Sequence, residues 1–127
     1  MKVYFNRDNL ENRAKTEIKD EEGNVLYWGI YDFAFKHRTR IFDTNNTELV
    51  YVQKDISKDY CLINICDGED QSLGYIKDDK LYPEGWKIDG NKVDGVMSIE
   101  DEYMLIEDEK NLLKCITILF ALIEKER

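Results

Sequence analysis

The residues best suited to chemistry form one run in the first third of the chain, Phe35-Lys36-His37-Arg38-Thr39-Arg40. On a β-strand Lys36, Arg38 and Arg40 share a face, so their three cations converge as a binding site for a phosphate or an anionic lipid head group. The plainer alternative is a solvated strand face whose charges discourage edge pairing. His37, the only histidine, falls on the opposite face. No nucleophile or carboxylate is fixed beside it by spacing, as general-base catalysis would require.

The acidic groups Asp20-Glu21-Glu22, Asp78-Asp79, Glu100-Asp101-Glu102 and Glu107-Asp108-Glu109 supply carboxylates in number. None follows the alternating-ligand pattern of a calcium loop, and the nearest, Asp89 to Asp94, puts Val93 where a ligand belongs. Turns and helix caps account for these acids better. Cys61, Cys66 and Cys115 form no C-x-x-C pair, and with a single histidine they offer no recognised zinc spacing. The chain has no G-x-S-x-G, no phosphate-cradling glycine loop and no H-E-x-x-H. No catalytic residue, metal ligand or cofactor follows from the sequence, and a non-enzymatic binding module is expected. The competing class is a hydrolase or transferase using carboxylates at a barrel mouth. Its mark would be two converging carboxylates of strongly raised pKa in a solvent-connected pocket.

Tyr27, Trp28, Tyr31, Phe33 and Phe35 make the densest aromatic stretch. Strand alternation points Tyr27 and Tyr31 away from Trp28, so these two are expected to be exposed and to serve a protein partner or a homodimer. Residues 1 to 54 carry nine basic and nine acidic side chains, so the whole net charge of −9 falls in the remainder. Such a surface repels phosphate backbones, which excludes nucleic acid as a partner and disfavours broad electrostatic docking to anionic membranes. An early charge at Arg7 and an odd number of cysteines point to a cytoplasmic protein with free thiols.

The elements that position these residues repeat. Thr16, Ile18, Asp20, Leu26 and Trp28 recur as Thr39, Ile41, Asp43, Leu49 and Tyr51, and then more weakly as Ile65, Asp67, Leu73 and Tyr75. Each copy is an alternating run ending at Asp, a polar turn, and a returning strand, which is the pattern of a β-hairpin. The Leu and aromatic positions form one stripe, expected to face inward. A degenerate hairpin around Asp89-Gly90-Asn91 and a strand at Glu102 to Glu107 follow. With an N-terminal strand the count is nine or ten.

The last segment is different. Leu112 to Ile123 is apolar nearly all round, so it must be enclosed. At roughly 18 Å it is too short for a hydrocarbon core of about 30 Å, and Lys114 interrupts it, so it is not membrane-spanning. A meander that curls around this helix solves two problems together, because the barrel gains a filling and the helix gains a wall. Asp108 and Glu109 at its start, with Lys125 and Arg127 at its end, suit the helix dipole. The expected fold is mainly β with one C-terminal helix. It is a single domain over 1–127, an antiparallel meander in 2–107 forming a closed or partly open barrel around a central helix at 109–126. A filled barrel leaves no cavity, which places function on the outer surface or the rims.

The order of these hairpins, Thr-x-Ile-x-Asp followed by Leu and an aromatic, the later Asp89-Gly90-Asn91-Lys92-Val93 and the terminal apolar helix together resemble the LURP-one-related branch of the tubby C-terminal-like superfamily. The resemblance runs from about Val3 to Ile123. It implies a barrel of about twelve strands around a central helix, from which this chain departs by one hairpin. It also implies relatives that bind phosphoinositide head groups or act at membranes, but it supplies a shape more than an activity.

Overall fold

The computed structural model describes residues 1–34 and 37–126. The chain opens with β1 (Lys2–Tyr4) and a single-turn helix α1 (Arg7–Glu11), capped by the Asn6 side chain. Six longer strands follow: β2 (Thr16–Lys19), β3 (Val25–Asp32), β4 (Arg38–Asp43), β5 (Glu48–Lys54), β6 (Leu62–Cys66) and β7 (Ser72–Lys77). Five more, of two to four residues, complete the sheet: β8 (Lys80–Tyr82), β9 (Trp86–Lys87), β10 (Lys92–Val93), β11 (Met97–Ile99) and β12 (Tyr103–Ile106). A short 3-10 turn at Glu109–Asn111 then leads into α2 (Leu112–Lys125).

All twelve strands belong to one antiparallel sheet, and its order follows the chain except that β1 sits between β12 and β2. The two edges, β9 and β10, are consecutive in the chain and meet at a bridge between Asp89 and Lys92, so the barrel is nearly closed. The count exceeds the nine or ten strands expected. The additional strands are two or three residues long and are separated by turns at Asp78-Asp79, Gly90-Asn91 and Asp94 to Val96, too short to show an alternating pattern.

The hairpin repeat has a geometric basis. The Asp20 carboxylate accepts from the backbone N–H groups of Glu22 and Asn24, Asp43 from Asn45 and Thr47, and Asp67 from Glu69 and Gln71. Each turn then places its fourth residue, Gly23, Asn46 or Asp70, at positive φ. One side chain thereby closes each turn on two backbone donors that would otherwise need water. Each hairpin also carries an irregularity in register just before that Asp, at Ile18/Lys19, Ile41/Phe42 and Ile65/Cys66.

Inside the barrel, α2 buries every residue from Cys115 to Ala121, and Glu124 as well. Facing it are Ile18, Ile41, Val50, Val52, Ile63 and Ile76 of the wall. Each such side chain contributes about 1.5–3 kcal/mol when fully buried, so packing rather than propensity holds a helix of this length. No helix among the described residues is long and apolar enough to cross a membrane.

The expected inward stripe is corrected. Leu26 and Leu49, beside the turns, do pack against the core, but Trp28, Tyr51 and Tyr75 lie on the outer face, and Leu73, half exposed at the register shift, borders a cleft. Strand alternation decides it: Gly29 of β3 and Val50 and Val52 of β5 face the helix, so their neighbours point outward. Gly29 is needed there, because a Cβ would collide with the Phe120 ring. A second correction concerns filling. The helix leaves a cleft of about 460 Å³ beside its first turns, bordered by β7 and β8.

Candidate functional site

Strand β4 presents Arg38, Arg40 and Phe42 outward while Thr39 and Ile41 point into the barrel. Of the three cations expected to converge, Lys36 lies outside the described residues. Arg38 and Arg40 do share the outer face, but each guanidinium already stands against a carboxylate and an aromatic ring. Arg38 lies 4.2 Å over the Tyr51 ring and pairs with Asp70 at 3.5 Å. Arg40 donates to both Glu48 oxygens, at 2.9 and 3.4 Å, and has Asp32 at 3.8 Å. The Glu48 hydrogen bond raises the Arg40 pKa further above its ordinary value.

Tyr51 ties this face together. Its hydroxyl donates to Asp70 at 2.8 Å, so Asp70 serves a tyrosine on β5 and an arginine on β4 at once. Burial first, and then hydrogen bonding with Cys66 and Asp70, pushes the Tyr51 hydroxyl above its ordinary pKa. A phenol held neutral in this way is a donor and a packing surface, not a nucleophile.

Toward the other end of the same face, Trp28 stacks on Phe42 with ring centroids 4.2 Å apart and planes 12° from parallel. The Lys15 ammonium caps the Trp28 ring at 4.4 Å, and the Arg40 guanidinium lies 5.1 Å from the Phe42 ring. Ile30, next on the outer side of β3, is 37% exposed. Aromatic rings, guanidiniums and neutralising carboxylates thus form one continuous, nearly charge-balanced patch across β3, β4 and β5.

Comparison of the chain with protein-family models, with curated proteins and with solved structures finds no match. Its chemistry has to be read from its own residues.

Tyr27 and Tyr31 are not the exposed pair expected. They do point away from Trp28, but toward the interior: Tyr27 packs against the core, and Tyr31 is only 6% exposed. Tyr31 is covered by Arg13, 5.4 Å from its ring, and by the edge of Phe33 at 4.4 Å. His37 precedes β4 at positive φ and is exposed, with its ring 6.4 Å from Tyr31.

Sequence reasoning passed over Glu124. It stands at the polar end of an apolar helix, yet it is fully buried and accepts a 2.7 Å hydrogen bond from the Thr39 hydroxyl. Helical spacing could have found it, because Thr117, Phe120, Ala121 and Glu124 fall on one face. At the opposite end of the barrel, Asp20, Glu21, Glu22, Glu107 and Glu109 border an open depression with Lys2. Backbone hydrogen bonds, that from Asn24 foremost, hold the Asp20 carboxyl below its ordinary pKa, opposite to the shift a general acid needs. Among the described residues no three His, Cys, Asp or Glu side chains are so placed that they could hold one metal ion.

Proposed function

We propose that this chain is a non-enzymatic binding module, built on a tubby-like barrel of the LURP-one-related type, that recognises another protein through the outer face of β3, β4 and β5. The observation carrying this reading is the Trp28–Phe42 stack set beside paired guanidiniums on an otherwise acidic protein. Tryptophan, tyrosine and arginine are the residues that supply most binding energy at protein interfaces. The carboxylates of Asp32, Glu48 and Asp70 also oppose an anionic lipid head group, since each guanidinium would have to exchange an existing partner for it. A cytoplasmic setting accords with the three free thiols, Cys61, Cys66 and Cys115.

Two parallel experiments test the reading. Immobilised wild type should retain from the native lysate a protein that the Trp28→Ala/Phe42→Ala variant does not, with both proteins showing the same melting transition. Wild type should fail to float with liposomes carrying phosphoinositides. Flotation abolished by Arg38→Ala/Arg40→Ala would replace the protein partner with the lipid head group, and identical capture by both proteins would overturn the assignment of the face.

A further inference from the structure

A second binding site lies away from this face. Between the first turns of α2 and the β7–β8 hairpin is the cleft of about 460 Å³, within the size range of small-molecule pockets. Its floor is aliphatic and buried, formed by Val50, Ile65 and Leu81. Leu113 of α2 and the exposed Leu73 of β7 form its sides. β7 closes against β8 at Gly74, where a Cβ would collide with the Tyr82 carbonyl oxygen, so no side chain from that position fills the space.

The rim is polar and gathers two lysines on an acidic chain. Lys110, Lys114 and Glu84 line it, and Asp108 stands against Lys110, so two cations face two carboxylates on a protein of net charge −9. Lys114 contacts Glu84 at 2.7 Å, which occupies one of the three donors of its ammonium and leaves two. Lys110 pairs with Asp108 at 3.5 Å where both side chains are well exposed, a contact weak enough for a ligand to displace. The N-terminal end of α2 adds a partial positive charge to the same rim.

We propose that this cleft binds an aliphatic monocarboxylate. The chain lies on Val50, Ile65 and Leu81, and the carboxylate meets the donors that Lys114 keeps beside Glu84 and takes the place of Asp108 on Lys110. Aliphatic floor and cationic rim together select such a ligand against a neutral alcohol, which cannot use the lysines, and against an amphiphilic cation, which they repel.

Titration calorimetry with decanoate, decanol and decyltrimethylammonium, each below its aggregation concentration, tests this, with amide chemical shifts recorded in parallel. Decanoate should bind saturably and at least about tenfold more tightly than the other two. Its shifts should centre on Gly74, Leu81, Leu113 and Thr117. The exposed Lys110→Ala/Lys114→Ala variant should lose that preference while keeping the wild-type melting curve, and Trp28→Ala/Phe42→Ala should bind decanoate unchanged. Equal affinity for all three probes, absence of saturable binding, or shifts centred instead on the exposed Phe33 and Ile56 would overturn the proposal.

Discussion

The edge of the Phe120 ring lies against the bare Cα of Gly29, with no space for a Cβ between them. This contact joins the middle of β3 to the middle of α2 and fixes which face of the strand looks inward. It therefore also fixes Trp28, one residue away, on the outside.

Gly29→Ala should destabilise the protein by about 1–3 kcal/mol through overpacking. Adding Phe120→Leu should return part of that loss. A double-mutant cycle from urea unfolding measures the coupling, and strictly additive effects would mean that the two residues do not meet as described.

Thr39 and Glu124 join the wall to the far end of the helix by a buried hydrogen bond of 2.7 Å. Thr39→Val keeps the shape and removes the donor, so it should cost about 1–3 kcal/mol. Thr39→Ser retains the hydroxyl and should cost less than the valine variant; the reverse order in chemical denaturation would count against this hydrogen bond.

The first turn aspartate, Asp20, responds to acid. Backbone N–H groups hold the folded-state pKa of Asp20 below its ordinary value. Its contribution is thus fully present above the ordinary carboxylate range of about 4 and is lost as pH falls through the folded value. Asp20→Asn should flatten the acid limb of stability against pH relative to wild type, while leaving the neutral plateau parallel. An unchanged acid limb would show that the turn does not hold the carboxylate in its charged form.

Cys115 is buried in α2, and desolvation pushes its thiol up to about 11. At about pH 8 a thiol reagent should modify Cys61 and Cys66 in the folded protein and reach Cys115 only after unfolding, because the thiolate is the reacting species and access is closed. Mass mapping of the labelled peptides gives the result directly, and prompt native labelling of Cys115 would contradict an enclosed helix.

Much of this fold can be traced to particular residues. Asp20, Asp43 and Asp67 announce the turns because one carboxylate closes each of them, a local interaction that survives in sequence as a repeat. The enclosed helix was legible in the run from Leu112 to Ile123, apolar but for Lys114 and Thr117. The direction of the stripe was not, because both faces of β3 and β5 are apolar: Val50 and Tyr51 are equally plausible inward residues until Gly29 and Phe120 set the register. The outer patch depends on long-range partners, such as Asp70 reaching Arg38 and Tyr51, that no local spacing records. The cleft is set by how far α2 stands from β8, a packing distance with no sequence signature.

The outer face itself is decided by an affinity. With the captured partner purified, calorimetry on wild type, on Trp28→Ala/Phe42→Ala and on Leu105→Ala, an exposed position on β12, compares the patch with a distant surface. The double variant should lose at least about 2 kcal/mol of binding, the scale of an interface hot spot, while Leu105→Ala binds as wild type does. Equal affinity of the double variant and wild type would contradict the assignment of β3, β4 and β5 as the binding face.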